Sequence, residues 1–265
     1  MSKFTTATLR KRKTEGGKIT MLTAYDYPFA KLIDEAGIDM ILVGDSLGQV
    51  VLGYDDTTKV TMEDMLHHTK AVVRGVQNAM VVADMPFLSY HTSDYDAVVN
   101  AGRLIQEGGA GAVKLEGGRD MYGAISKIVR AQIPVIGHLG LTPQSILAFG
   151  GYYIQGKTDA AAQKLKDDAK AVEEAGVSAL VLECVPKALA AEITETLSIP
   201  TIGIGAGCGC DGQVLVSYDM TGLYPKKVAK FVKQYVDLST LFTDAVTEYI
   251  KEVKEGSFPS DEHSF

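Results

Sequence analysis

Apolar residues along the chain fall into two alternating kinds of segment. Short continuous runs occupy Ile19–Thr23, Met40–Val43, Met80–Ala83, Ala112–Leu115, Val135–Gly137, Ala179–Leu182, Thr201–Ile204 and Val214–Val216. They are unbroken rather than alternating, which predicts parallel strands covered on both faces. Between them lie longer stretches with helical spacing. Met62, Met65, Leu66, Thr69, Val72, Val73 and Val76 make one apolar stripe. Ala161, Leu165, Ala169, Val172 and Ala175 make another, with Lys and Asp on the opposite face. Ser93 is placed to cap a further helix, and Gly37, Gly109 and Gly176 stand where helix C-caps are wanted.

Eight short runs alternating with helices predict either a doubly wound sheet or a closed (β/α)8 barrel. The first two runs end in Ala24-Tyr25-Asp26 and Gly44-Asp45-Ser46 rather than in a glycine-rich dinucleotide turn. Eight repeats within 265 residues suit the barrel. The expected fold is therefore α/β, a single-domain (β/α)8 TIM barrel over residues 1–265. Thr6–Lys13 reads as a helix closing its lower end, Leu238–Lys254 as an added C-terminal helix, and Gly256 to Phe265 as frayed.

Composition narrows the setting. With 46% hydrophobic and 22% charged residues the chain is not disordered. A net charge of −7 makes a poor partner for nucleic acid. No run of 18 apolar residues exists, so no transmembrane helix and no membrane partner are expected, and the start lacks the apolar run of a signal peptide. Three cysteines, Cys184, Cys208 and Cys210, give no disulfide framework, which suits a cytoplasmic location.

Barrel active sites collect at the C-terminal ends of strands. There the sequence places Asp45, Asp84, Lys114 with Glu116, His138 and Glu183. One such residue is ordinary loop chemistry or a helix cap. Several carboxylates close together are costly unless a cation compensates. Asp45, Asp84 and Glu116 offer only oxygen, which favours Mg2+ over zinc. Lys114 and Glu116 are two apart on one strand and so face the same side. One can hold a substrate carboxylate while the other faces the metal. His138 fits an acid, a ligand, a substrate donor or a satisfied core histidine. Glu183, framed by Ala-Leu-Val-Leu, suits a general base or a partner of a lysine. The glycines of Gly203-Ile-Gly-Ala-Gly fit a phosphate cradle or a close backbone approach. Cys208-Gly-Cys210 lacks the second pair that zinc needs, and His67-His68 reads as solvent-facing.

Gly44-Asp-Ser-Leu-Gly, Ala83-Asp-Met-Pro-Phe, Val113-Lys-Leu-Glu-Gly-Gly, Gly137-His-Leu-Gly-Leu-Thr-Pro-Gln and Gly203-Ile-Gly-Ala-Gly with Asp211-Gly-Gln together closely resemble the ketopantoate hydroxymethyltransferase family. The resemblance runs in order from about Thr5 to about Tyr235. It implies a (β/α)8 enzyme of pantothenate biosynthesis that moves a hydroxymethyl group from methylene-tetrahydrofolate to α-ketoisovalerate. It also implies Mg2+ dependence and a homo-oligomer, commonly a decamer. Carried over by position, Asp45, Asp84 and Glu116 match the metal site. Asp45, Ser46, Asp84 and Lys114 match the ketoacid contacts, Glu183 the proton acceptor, and His138 a position near the substrate. Tyr218 stands where members often have His, and Cys208-Gly-Cys210 lies where members differ. A lyase or mutase of the phosphoenolpyruvate/pyruvate barrel type is the alternative enzyme class, although no Lys-Lys-Cys-Gly-His-like loop is present. A barrel serving only as an assembly scaffold is the alternative outside enzymes.

Overall fold

A computed structural model describes residues 4–224 and 228–265. Each of the eight apolar runs forms a strand: β1 (Ile19–Thr23), β2 (Met40–Val43), β3 (Met80–Asp84), β4 (Ala112–Glu116), β5 (Val135–Gly140), β6 (Ala179–Glu183), β7 (Thr201–Ile204) and β8 (Gly212–Leu215). They pair in parallel in sequence order, and β8 returns to β1 to close a barrel. The expected (β/α)8 fold is the observed one.

The strands carrying the chemistry outrun their apolar cores. β3 through β6 extend to Asp84, Glu116, Gly140 and Glu183 because parallel pairing continues through the polar ends. Asp84 sits opposite Lys114, Glu116 opposite His138, and Gly140 opposite Glu183. The last strand starts earlier than its apolar run, at Gly212, which pairs with Ile19.

The described residues form eleven α-helical segments: α1 (Thr6–Glu15), α2 (Tyr27–Glu35), α3 (Leu47–Val50), α4 (Met62–Gly75), α5 (Asp94–Gln106), α6 (Tyr122–Arg130), α7 (Ile146–Phe149), α8 (Asp159–Ala175), α9 (Lys187–Thr196), α10 (Ser217–Met220) and α11 (Leu238–Glu255). The sequence explains their ends. Thr61 and Asp64 form a reciprocal capping box on α4, Ser93 caps α5, and Gly176 closes α8 in the left-handed conformation. The predicted stripe of α4 is the buried one, with Met65, Leu66, Thr69 and Val72 inside.

The barrel interior is apolar below and polar above. Met21, Met40, Leu42, Met80, Val82, Ala112, Ile136, Ala179, Val181, Ile202 and Val214 form one buried cluster, joined by Phe4 and by Leu9 of α1. Continuing by two residues along β3, β4, β5 and β6 from Val82, Ala112, Ile136 and Val181 leads to Asp84, Lys114 with Glu116, His138 and Glu183. The same strand faces that fill the core therefore deliver the ionisable groups.

By internal contacts the chain divides into two compact units, Met1–Val216 and Ser217–Phe265. The barrel and all the residues above belong to the first. In the second, α11 buries none of its residues, and Leu241, Phe242 and Tyr249 are exposed along it. The Phe258 ring packs near both Tyr249 and His263. No helix among the described residues is long and apolar enough to cross a membrane.

Candidate active site

The chain leaves β2 through Gly44. A Cβ there would meet Ser46 Oγ at 2.8 Å and lie 3.6 Å from Asp84 Oδ2. The missing side chain lets the next residue turn back, and the Asp45 N–H donates to Asp84 Oδ2 at 3.0 Å. On β4, Lys114 Nζ lies 3.0 Å from Asp84 Oδ1 and 4.0 Å from Glu116 Oε1. It also lies 3.2 Å from His138 Nδ1. His138 Nε2 faces Glu183 Oε2 at 3.3 Å. Asp45, Asp84, Lys114, Glu116 and His138 are all buried, and Glu183 stands at the partly open edge.

The structure thus brings every sequence-predicted site residue to one end of the barrel. Ser46 Oγ lies 2.9 Å from the Tyr25 hydroxyl. His67 is exposed as expected, but His68 is half-buried, and its Nδ1 lies 2.6 Å from the Tyr25 carbonyl oxygen. The neighbouring helix α4 therefore helps hold the residue that meets Ser46.

Two participants escaped the sequence reading. Gln144, just past β5, donates from Nε2 to Asp45 Oδ2 at 2.8 Å and to the Met85 carbonyl at 2.9 Å. Its backbone N–H donates to Glu116 Oε2 at 3.0 Å. Buried Tyr90 donates its hydroxyl proton to Gln144 Oε1 at 2.7 Å and accepts the Glu116 N–H at 3.1 Å. A polar residue directly after a Pro at a strand end was the available signal for Gln144. Tyr90 carried none that separated it from core tyrosines.

Beyond Gln144 the chain crosses the rim of the barrel. Leu147, Tyr152, Tyr153 and Ile154 are exposed there. The segment is tied at two points: the Gln49 side-chain amide donates to the Tyr152 hydroxyl at 3.2 Å, and the Gln155 N–H donates to the Cys184 carbonyl at 2.9 Å.

Charge and burial conflict strongly at this end of the barrel. Burial, then the charges of Asp84 and Glu116, push Asp45 well above the ordinary carboxylate range. Burial also raises Asp84, with Lys114 opposing it. Glu116 is pushed by burial up to about 7 despite Lys114. Burial works against the Lys114 ammonium, but Asp84, Glu116 and Asp45 prevail and raise it. Burial and Lys114 lower His138 and so favour a neutral ring.

Three buried carboxyl groups face one ammonium and would carry unbalanced negative charge if all were ionised, and Glu116 Oε1 has no hydrogen-bond partner. That is the environment a divalent cation would relieve, and its donors are hard oxygens that suit Mg2+. Among the described residues no three His, Cys, Asp or Glu side chains form a ready-made cage. Mg2+ tolerates this because it keeps waters and takes ligands from substrate. The donor set fits the ion.

Sequence comparison decides between the enzyme families this barrel could serve. A family model for ketopantoate hydroxymethyltransferase matches residues 3–261. The chain belongs to the ketopantoate hydroxymethyltransferase family. A 3-methyl-2-oxobutanoate hydroxymethyltransferase of Clostridium novyi (strain NT) is 64% identical over 99% of this chain and 96% of its own length. One from Carboxydothermus hydrogenoformans is 60% identical over 100% of this chain and 96% of its own. Membership makes the protein a transferase. Solved structures share the fold at much lower identity. A phosphonopyruvate hydrolase has TM-score 0.65 and 15% identity, covering 100% of this chain and 92% of its own. A 2,3-dimethylmalate lyase has TM-score 0.62 and 16% identity, covering 98% and 91%.

Proposed function

We propose that the protein transfers a hydroxymethyl group from methylene-tetrahydrofolate to 3-methyl-2-oxobutanoate (α-ketoisovalerate), giving ketopantoate, with Mg2+ as cofactor. The carrying observation is the buried cluster of Asp45, Asp84, Lys114 and Glu116 with Glu183 beside it on β6. Asp45, Asp84 and Glu116 would hold the metal. When bound, Mg2+ supplies Lewis-acid polarisation of the ketone, worth several kcal/mol to a developing enolate.

The chain's own groups do the rest. Lys114, fixed by Asp84, neutralises the ketoacid carboxylate. Asp45, Ser46 and Asp84 orient the substrate. Glu183 takes the proton from C3, and the electron pair of that C–H bond becomes the C2–C3 double bond of the enolate. C3 then bonds to the one-carbon unit of the donor, its two carbon–nitrogen bonds to the folate break in turn, water supplies the hydroxyl, and the C3 proton and one proton of the water end on the two folate nitrogens. Two-point fixation of the ketoacid selects which face of the enolate is exposed.

The same family resemblance supports a place in pantothenate biosynthesis and a homodecamer, and the three cysteines without a disulfide framework support a cytoplasmic location. The decisive experiment follows deuterium exchange at C3 of α-ketoisovalerate by NMR, without folate. Chelator should abolish exchange and Mg2+ restore it. Asp84→Asn should exchange slowly at any Mg2+ concentration. Undiminished exchange by Asp84→Asn in chelator would overturn the assignment.

A further inference from the structure

The segment that crosses the rim after α7 holds none of the groups assigned to the ketoacid or the metal. It reads Gly150-Gly151-Tyr152-Tyr153-Ile154-Gln155-Gly156, and its three glycines have φ of +70, +147 and +81. Tyr152, Tyr153 and Ile154 are all exposed. Three consecutive large apolar side chains in water add nothing to the core and mark a contact surface. The two tyrosines differ. A Cβ at Gly151 would meet the Tyr153 ring at 2.9 Å, so that ring packs against the segment's own backbone. Tyr152 instead reaches across to Gln49, whose Nε2 donates to its hydroxyl at 3.2 Å and to the Asp55 carbonyl at 2.9 Å.

The two ties of the segment lie on opposite sides of the barrel. Gln49 belongs to α3, which follows β2 and the Asp45 turn. The Gln155 N–H donates to the carbonyl of Cys184, the residue directly after Glu183 at the end of β6. In the closed order of eight strands, β2 and β6 are four places apart in either direction. The segment is therefore a strap across the mouth, from the strand end that presents Asp45 to the one that presents Glu183. Burial first, then the charges of Asp56, Glu183 and Asp45, raise the Tyr152 hydroxyl, in keeping with a ring set between both sides. Cys184 holds φ +49, uncommon outside glycine, and strain of that kind gathers at ligand clamps.

We propose that Tyr152 is the stacking platform for the pterin ring of the one-carbon donor, which the strap seats across the mouth of the barrel. The inference rests on the proposed reaction. There the one-carbon unit must come to C3 beside Glu183, while Asp45, Asp84, Lys114 and Glu116 are buried beneath. The ketoacid is small enough to sit with them, and the much larger donor has to lie above. The flat pyrimidinone ring of a pterin suits an aromatic face as a nucleic-acid base does. A donor held on the strap stays at the edge where Glu183 stands.

The test uses the full-length enzyme with Mg2+, and calorimetry with tetrahydrofolate as the probe. Tyr152→Leu keeps an apolar side chain and removes the ring. Its affinity for tetrahydrofolate should fall about 5- to 100-fold, the range of base stacking on aromatic side chains. KM for methylene-tetrahydrofolate should rise in step. Tyr152→Phe keeps the ring without the Gln49 bond and should recover most of the affinity. C3 exchange without folate, and calorimetric affinity for the ketoacid, should match wild type in both variants. Undiminished tetrahydrofolate affinity in Tyr152→Leu overturns the proposal. So does equal loss in both variants, which would make the hydroxyl tie the working part. A parallel fall in C3 exchange overturns it as well, because the strap would then serve the ketoacid step. A changed mass of Tyr152→Leu in light scattering does the same, since the ring would then be a contact between copies. Should Tyr152→Leu fold poorly, Tyr152→Ser carries the same test. Wild type that exchanges C3 but binds no tetrahydrofolate overturns the folate donor and this inference together. Wild type that does not exchange at all removes the proposed function itself.

Discussion

Glu183 and Gln144 show how differently single residues act at this rim. Glu183 is the group assigned to the proton. Glu183→Gln keeps its shape but removes the base, so C3 exchange should fall by about 10²–10⁴-fold. Calorimetric binding of Mg2+ and ketoacid should survive, since both are assigned to other side chains. Loss of both would move Glu183 into the metal site. Gln144 instead holds acceptors and donors in place. Gln144→Leu strips hydrogen bonds from Asp45 Oδ2, the Met85 carbonyl and the Tyr90 hydroxyl. Each buried group left unsatisfied costs about 1–3 kcal/mol. Chemical denaturation should show a clear loss of stability, accompanied by weaker Mg2+ binding. Unchanged stability and affinity would mean that water replaces the amide without loss.

Among the elements, β5 and β6 carry the tightest constraint. Gly140 has φ +93, and a Cβ there would fall 2.2 Å from the Glu183 carbonyl oxygen. Gly140→Ala should cost about 1–3 kcal/mol in backbone strain. C3 exchange should fall with it, because the base rides on the displaced strand. Normal stability together with normal exchange would refute this. The elements were largely legible in the chain. Unbroken apolar runs named all eight strands, and the stripe through Met65, Leu66, Thr69 and Val72 named the inner face of α4. Asp84 and Glu116 were legible as candidates because several carboxylates close apolar runs at the same end of the barrel. The support around them was not. Gln144 meets Asp45, 99 positions away, only because the chain folds back across the rim after β5. No local periodicity records that.

The whole molecule should report its buried charge through pH. Glu116, raised to about 7, and Asp45 and Asp84, also raised, keep protons on folding that the unfolded chain has released. The Glu116 contribution to stability is full below about 4.5 and is lost as pH rises through about 7, and Asp45 and Asp84 act in the same direction. His138 and His91, lowered from 6.5, act the other way: their contribution is present above that value and lost as pH falls. Metal-free protein should therefore weaken as pH rises from about 4.5 toward 7, by about 1.4 kcal/mol per pH unit for each excess proton held by the folded state, with the two histidines offsetting part of the loss below 6.5. Melting curves in chelator should show the decline, and Mg2+ should flatten it. A flat profile in chelator would argue that these carboxyls are ionised together. Light scattering should give about ten times the 28.4 kDa chain mass, and a mass near that of one chain would refute the decamer. The strand ends carry one more consequence. Asp84, Glu116, His138 and Glu183 are rungs of the closed ladder rather than residues of hanging loops. Their amides should exchange with solvent hydrogen only when the barrel opens as a unit. On heating, the ability to abstract a proton should vanish abruptly together with the barrel, with no intermediate temperature at which the scaffold persists and the chemistry is already gone.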